Sequence, residues 1–188
     1  MHLRFSTCKG LPVIEDGFEA AVGKLSDIFI HPDTGNIEGF FVARSHFLHA
    51  DILFLSSLDI VHWGASVHIA SADVLAPLEE RVRLHALREE GRSVMGQRLQ
   101  TESGVALGVC RDAQFDTKLF RLEWLFPRLF LRWGVSVPAS AIVEVRTDAV
   151  MVRDSVLGAV TDSGAPVFKA LDDLTKAPTP SAMSSEEC

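Results

Sequence analysis

The residues best suited to hold a metal ion lie in one short stretch, HFLHAD, at positions 46–51. The imidazoles of His46 and His49 and the carboxylate of Asp51 are ligand types that divalent transition metals take in proteins. The stretch falls in a turn between two segments of alternating apolar and polar residues, where exposed histidines need no ion to explain them. We therefore expect no metal site here, and a metal-binding or small-ligand sensor is an alternative function.

Other catalytic chemistry has little support in the sequence. His62 and His68 occupy strand positions beside Trp63 and Val67, which is typical of rim or surface residues. The chain contains no G-x-S-x-G motif, no glycine-rich phosphate loop and no zinc-ligand spacing. We predict that the protein is not an enzyme and has no cofactor.

Cysteine usage and hydropathy bear on the cellular compartment. Cys8, Cys110 and Cys188 are widely separated, and an odd number without C-x-x-C spacing predicts neither a disulfide framework nor a zinc site. No apolar run reaches the roughly 18 residues of a transmembrane helix, and the first ten residues lack the apolar core of a signal peptide. We expect a cytoplasmic protein with no transmembrane segment.

The formal net charge of −7 is unevenly distributed along the 188 residues. Residues 1–76 hold four basic and nine acidic side chains, a net charge of −5, whereas residues 92–153 hold nine and six, a net charge of +3. The residues after 153 hold two and six, a net charge of −4. Because DNA binding relies on a basic surface, we expect no direct DNA binding by this acidic chain.

The stretch WLFPRLFLRW at 124–133 combines apolar side chains with two arginines. Trp, Phe and Arg are enriched at the centres of protein interfaces, and a strand of this composition needs cover on both faces. The cover is internal (the linking helix, the other unit or the C-terminal segment), a protein partner, or a membrane surface. For a partner, the candidate docking residues are Phe126, Arg128, Leu129, Phe130, Arg132 and Trp133.

The elements that must position these residues are short strands, and they occur twice. Segments of period-two alternation are separated by turn signals such as PDTG (32–35) and TESG (101–104). Residues 10–70 match residues 96–152 at offsets that drift between 86 and 82. Matched positions include Gly10 with Gly96, Gly23 with Gly108, Asp27 with Asp112, Glu38 with Glu123 and Phe41 with Phe126. The order of these matches predicts a duplicated unit.

The repeated glycines and aspartates have a structural interpretation. Gly23 and Gly108 fall where a strand bends or passes close to another backbone, and Asp27 and Asp112 are placed to cap backbone N–H groups. A pair of catalytic carboxylates would require both aspartates in one cleft, yet they belong to separate units. Five or six short strands per unit predict a small closed or nearly closed barrel, since closure removes exposed edges.

Between the units, the periodicity becomes helical. Leu78, Val82 and Ala86 share one face, Pro77 suits a helix start and Gly91 a helix end. We predict a mainly β fold with a first barrel at 1–75, a linking helix at 76–91 that packs across both barrels, and a second barrel at 92–160. For the C-terminal segment, 161–188, we predict a largely disordered tail with at most one or two helical turns at 166–174.

The motifs of the first unit resemble those of the PRC-barrel family. They run G-x-P-V-I, G-K-x-x-D, P-D-T-G-x-I-x-G-F-x-V and L-D-I-V, on Gly10, Pro12, Val13, Gly23, Lys24, Asp27, Pro32, Asp33, Gly35, Gly39, Asp59 and Val61. The second unit keeps Gly96, Gly108, Asp112, Pro138 and Ile142. It has DTKLF in place of the turn and Trp124 in place of Gly39, so it is a diverged copy. The resemblance therefore implies two PRC-type barrels in tandem.

The resemblance also implies a class of function. This small barrel occurs in the reaction centre H subunit and in the ribosome maturation factor RimM, where it docks onto an assembly. We therefore expect a non-enzymatic adaptor that binds a protein partner, or its own copy as a homodimer. An alternative is a RimM-like ribosome-maturation factor that binds a small-subunit ribosomal protein, although RimM has a different N-terminal barrel. The sensor named above would bind its ligand at the seam between barrels.

Overall fold

The computed structural model describes residues 1–45 and 50–158, which form mostly short strands. The chain begins with β1 (His2–Arg4) and one helical turn, α1 (Phe5–Cys8). The first unit supplies β2 (Pro12–Glu15), β3 (Ala21–Ile30), β4 (Ile37–Ser45), β5 (Ala50–Ser56), β6 (Ile60–Trp63) and β7 (Val67–Ile69). Helix α2 (Val82–Glu89) follows. The second unit supplies β8 (Arg98–Thr101), β9 (Ala106–Asp116), β10 (Arg121–Leu129), β11 (Arg132–Trp133), β12 (Val137–Pro138), β13 (Ile142–Val145) and β14 (Ala149–Val152), before α3 (Ser155–Gly158). The prediction of a mainly β chain is confirmed.

Each unit builds its own sheet. The strand order is β5-β4-β3-β2-β7-β6 in the first sheet and β11-β10-β9-β8-β14-β13 in the second, where β1 also pairs with β9 and β12 with β10. In both sheets one pair is parallel at the equivalent place, β2 with β7 and β8 with β14. The two units therefore share one topology.

Within the described part of the chain, neither strand order closes on itself, so the sheets are open where closed or nearly closed barrels were predicted. The β5 edge of the first sheet pairs instead with the linker. The Phe54 N–H donates to the carbonyl of Ala76 at 2.7 Å, and the Ala76 N–H donates to the carbonyl of Phe54 at 3.3 Å. The linker backbone thus forms hydrogen bonds with β5 that another strand would have formed in a closed barrel.

The duplication extends to the register of the strands and to their bulges. A one-residue slip would move a whole row of side chains from the core to solvent, so register is tightly specified in a half-buried sheet. Bulges shift that register at equivalent places in the two units. The equivalent pairs beside these bulges are Val13–Gly23 with Leu99–Gly108, and Asp27–Phe41 with Asp112–Phe126. The sequence alignment of the two units is therefore also their structural alignment.

The two sheets meet at an approximate two-fold axis. The Ile37 N–H donates to the carbonyl of Phe120 at 2.7 Å, and the Leu122 N–H donates to the carbonyl of Gly35 at 2.9 Å. Gly35 and Phe120 are equivalent positions of the repeat, as are Ile37 and Leu122, so the axis exchanges these two hydrogen bonds. It passes between the units at the bridge of Asn36 with Arg121.

A single apolar core lies between the sheets. Buried side chains from both units form one contiguous cluster. At its centre the ring of Phe40 lies 5.0 Å from that of Trp63 and 5.7 Å from that of Phe115, while Phe120 closes the group at 6.4 Å from Phe40. The units are thus packed against each other through aromatic side chains from both.

Helix α2 is shorter than predicted and lies on the first sheet. Pro77 has an extended backbone (φ −54°, ψ 143°), and a 3-10 turn at Leu78–Glu80 separates it from α2. Val82 is 80% exposed, whereas Leu84 is buried against Phe54. The apolar stripe predicted through Val82 and Ala86 therefore does not face the protein interior, because the interruption before α2 changes which side chains point inward.

Some predictions concern residues that the structure does not describe. The C-terminal segment 161–188, with its helical turns at 166–174, lies outside the described residues, as do His46 and His49 of the HFLHAD stretch. For residues 1–45 and 50–158, no helix has both the length and the apolar composition needed to cross a membrane.

Candidate interaction surface

The WLFPRLFLRW stretch forms a β-hairpin at the edge of the second sheet. Strand β10 pairs with β11 so that Leu129 faces Arg132 and Arg128 faces Trp133. Phe130 and Leu131 form the two-residue turn between them, which we call the hairpin tip. The short connection and its register therefore determine which apolar side chains project into solvent.

The hairpin tip is exposed and conformationally strained. Phe130 is 93% exposed and Leu131 is 85% exposed, while Leu129 and Trp133 are about half exposed. Phe130 also has a φ of 53°, in the left-handed region that favours glycine. A bulky side chain in that conformation costs about 1–3 kcal/mol, and such residues cluster at sites of binding or switching. The fold thus maintains an unfavourable backbone conformation that displays a phenyl ring.

The two arginines of the stretch flank its aromatic side chains, and Phe126 lies apart from the tip. The guanidinium of Arg128 lies 5.9 Å from the centre of the Trp133 ring, and Arg132 is exposed. Phe126 is half-buried under the guanidinium of Arg4, 3.6 Å from the ring centre. Of the predicted docking residues, Leu129, Phe130, Arg132 and Trp133 share the exposed hairpin end. Sequence reasoning missed Arg4, whose distance along the chain gave no signal.

A groove between the units presents a second apolar surface that sequence reasoning did not find. Leu58, Val82 and Leu119 line it and are each more than three-quarters exposed. The arginines of its rim are already paired within the chain, Arg83 with Glu38 at 2.6 Å and Arg81 with Asp59 at 3.5 Å. Of the residues that line this groove, Val82 stands out in the sequence, and its spacing predicts a buried side chain rather than an exposed one.

One group of described residues, His2, Asp116 and Glu123, has the donor types and proximity to hold a metal ion. Its atoms, however, already satisfy one another. The Nδ1 of His2 lies 2.7 Å from Glu123, whose other oxygen accepts from Gln114 at 3.1 Å. Asp116 accepts from the Met1 amine and from two backbone N–H groups, those of Leu119 and Lys118, which chiefly hold the pKa of Asp116 at about 2. The group therefore ties β1 to the second sheet without needing an ion.

The two described cysteines lack the properties of nucleophiles. Burial raises the pKa of the Cys110 thiol to about 12, and the nearby Asp112 carboxylate adds to the effect. Burial likewise raises the pKa of the Cys8 thiol. Because the thiolate is the reactive form, both side chains are suited to packing in the core.

Ser66, His68 and Asp16 form a hydrogen-bonded chain with the order of a catalytic triad. The Oγ of Ser66 lies 2.8 Å from Nε2 of His68, and Nδ1 of His68 lies 3.1 Å from the Asp16 carboxylate. The Asp16 side chain is 51% exposed and that of His68 is 32% exposed, whereas the acid of a working triad is buried so that it holds the imidazole firmly. The arrangement is suited to fixing the turn between β6 and β7.

Asp27 and Asp112 occupy equivalent strand positions but make different contacts. Asp112 is 1% exposed and accepts hydrogen bonds from the Ser6 N–H at 2.9 Å, the Ser6 hydroxyl at 2.6 Å and the Ala113 N–H at 3.0 Å. Asp27 is exposed and accepts one hydrogen bond, from the Ile28 N–H at 2.9 Å. Both carboxylates bind backbone N–H groups, and that of Asp112 also anchors α1 to the second sheet.

This difference predicts unequal effects of two matched substitutions. Asp112→Ala should lower the free energy of unfolding by about 2–3 kcal/mol, because it removes three hydrogen bonds to a buried carboxylate, one of them from the buried Ala113 N–H. Asp27→Ala should cost about 1 kcal/mol or less, since Asp27 is exposed and accepts a single hydrogen bond. Urea unfolding of the two variants measures both values, and equal losses would contradict the anchoring role of Asp112.

The predicted motif glycines fall into two groups. Gly10, Gly35, Gly96 and Gly108 have positive φ, whereas Gly23 and Gly39 lie where neighbouring strands leave no room for a side chain. At Gly108 a Cβ would lie 2.7 Å from the carbonyl oxygen of Arg128, so this glycine allows β10 to approach β9 beneath the hairpin. The turn expected to be lost in the second unit keeps its backbone conformation, because Phe120 has a φ of 47° at the position of Gly35.

The described residues thus offer an exposed, strained apolar hairpin with two arginines, a groove between the units and a few satisfied polar clusters. The hairpin combines the composition of an interface centre with a conformational cost that packing among residues 1–45 and 50–158 does not explain. Comparison with models of known protein families and with curated proteins finds no match to this chain.

Proposed function

We propose that this protein is a non-enzymatic interaction module that docks onto a macromolecular assembly through the hairpin of its second unit. The observation that carries the proposal is Phe130, which is 93% exposed at a left-handed backbone position beside Leu131, itself 85% exposed. Burying two such side chains in a partner contributes about 1.5–3 kcal/mol each. That gain would offset the strain which the free protein retains.

The proposed architecture is a duplicated PRC-type unit. Support comes from the shared strand order, the equivalent parallel pair and the matching bulges of the two sheets. The common core and the hydrogen bonds at the two-fold axis hold the units in one orientation. Such a pair suits a rigid adaptor, because the hairpin of one unit is presented at a fixed angle to the other.

The chemistry of the hairpin indicates the kind of partner. Phe130 and Leu131 fit an apolar pocket, and the exposed Arg132 suits an acidic rim around it. We propose a protein partner with such a pocket. If the partner is instead a second copy of the chain, the mass measured in solution will be that of a dimer.

The experiment compares Phe130→Gly with Leu58→Asp in the full chain. Phe130→Gly removes the ring and relieves the positive φ, so it should stabilise the fold by about 1 kcal/mol while abolishing docking. Leu58→Asp changes a side chain that is 92% exposed in the groove and should leave docking intact. Affinity purification from the native cell measures docking, light scattering measures the mass in solution, and a thermal melt measures the stability of each variant.

The result that supports the proposal is a set of bound proteins, or a dimer, lost with Phe130→Gly and retained with Leu58→Asp. Retention of the same proteins by both variants would show that the hairpin is not the docking surface. Loss of the bound proteins with Leu58→Asp alone would show that the groove, and not the hairpin, is the docking surface.

A further inference from the structure

In the first unit, helix α2 covers the outer face of the sheet, the face directed away from the shared core. Leu78 and Leu84 pack there with Phe54 in an apolar cluster separate from that core. Phe29, Phe41 and Leu87 border the cluster. The guanidinium of Arg88 lies 4.9 Å from the centre of the Phe41 ring.

The second unit has an equivalent outer face that remains accessible. Leu125 is buried in the shared core, so its neighbours Trp124 and Phe126 point to the opposite side of β10. Arg128 and its cross-strand partner Trp133 lie on that same side. Arg4 lies over Phe126 as Arg88 lies over Phe41. Trp124 and Trp133 nevertheless remain 39% and 56% exposed.

A Val–Leu pair follows the last strand of each unit and packs on the shared core. After β7, Val74 and Leu75 pack on the shared core, and Ala76 then bridges Phe54 and leads to α2. After β14, Val156 is buried in the same core and Leu157 packs against it. The described chain ends at Gly158, the position that matches Ala76, with 30 residues of sequence still to follow.

We propose that residues 166–174 bind the outer face of the second sheet as α2 binds that of the first. In this segment, PVFKALDDL, Phe168 and Leu171 repeat the spacing of Leu84 and Leu87, and Pro166 suits the first turn of a helix. The occupant is thus a part of this chain that follows the second unit as α2 follows the first, with the apolar pair two residues farther along than in the first unit.

Charge supports the same occupant. The residues after 153 have a net charge of −4 and the second unit, 92–153, has +3. Asp172 and Asp173 follow the apolar pair, while the outer face carries Arg4 and Arg128. The Nε of Arg128 is buried with no hydrogen-bond partner among the described residues. An acidic segment therefore complements the basic side chains of this face.

The proposal does not rest on the proposed function, because it concerns the outer face and leaves the hairpin tip free. Phe130 and Leu131 lie at the turn, beyond the paired strands that the segment would cover. The aromatic side chains of this region would then have two separate roles, Trp124 and Trp133 on the outer face and Phe130 at the hairpin tip. The face would bind the chain's own C-terminal segment, and the tip would bind the partner.

The test uses the full chain and its three tryptophans, Trp63, Trp124 and Trp133. In the wild-type protein, acrylamide should quench little of the fluorescence. The double variant Phe168→Asp/Leu171→Asp should uncover Trp124 and Trp133 and make about two of the three accessible. Met183→Asp, in the same segment but outside 166–174, is the matched control and should behave as wild type. Phe130→Gly should also keep the tryptophans shielded, which separates this proposal from the docking function.

Hydrogen exchange on the same variants provides a second measurement. Amides of β10 and β11 should lose protection in the double variant, while those of α2 are unchanged. Equal quenching of wild type and double variant would overturn the proposal. So would a change confined to α2 and the groove, or shielding that disappears on dilution, since the last outcome would show that a second copy provides the cover.

Discussion

Replacing Gly39 with alanine should lower the free energy of unfolding by about 3 kcal/mol or more, the largest loss expected from adding one methyl group to this protein. A Cβ at Gly39 would overlap the carbonyl oxygen of Leu55 and lie 2.5 Å from Cζ of Phe54. Both neighbours belong to β5, which pairs with β4 along its length. The methyl group therefore cannot be accommodated unless the two strands separate. Chemical denaturation monitored by circular dichroism measures the loss.

Gly64→Ala is the matched control for this prediction. Its added Cβ would approach only the ring of His62, at 3.3 Å, and an exposed imidazole can rotate away. The control should stay within about 0.5 kcal/mol of wild type. A Gly39→Ala protein as stable as the control would show that β4 and β5 are not as close as described.

Phe115→Ala should cost about 3–5 kcal/mol and should destabilise both units together. Phe115 is fully buried in the second unit, and its ring lies 5.7 Å from both Phe40 and Trp63 of the first. The cavity would therefore remove packing from side chains on both sides of the two-fold axis. Urea unfolding followed by circular dichroism and by tryptophan fluorescence should give one transition, shifted equally for both signals.

The control for Phe115→Ala is Phe18→Ala, which removes a ring that is 65% exposed. It should change stability by about 0.5 kcal/mol or less. Two separate transitions in the Phe115→Ala protein, with the first unit unfolding as in wild type, would contradict a shared core and would indicate two independent domains.

Much of the β architecture could be predicted because the duplicated sequence shows the same pattern of strands, glycines and aspartates twice. The match of Gly23 with Gly108 and of Asp27 with Asp112 identified positions that the structure places beside equivalent bulges. The extent of α2 could not be predicted in this way. Its interruption depends on the extended backbone of Pro77 and on the pairing of Ala76 with β5, which no local periodicity encodes.

The composition of the candidate surface was readable in the sequence, but its conformation was not. The clustering of Trp, Phe and Arg indicated 124–133, since such residues need cover wherever they lie. The positive φ of Phe130 could not be inferred, because a two-residue turn normally places glycine or asparagine there. Contacts between Arg4 and Phe126 also depend on β1 joining the second sheet rather than the first.

The placement of β1 has a consequence for how the protein is synthesised. Its Met1 amine bonds to Asp116, 115 residues later, so β1 leaves the ribosome well before its partner strand is synthesised. At translation rates of about 5–20 residues per second, the interval is roughly 6–23 s. Throughout that time Leu3 and Phe5, which the finished protein packs against its core, have no second sheet to join. Two nascent chains that exchange their N-terminal strands would satisfy the same pairing, so domain swapping is the misassembly that this placement favours.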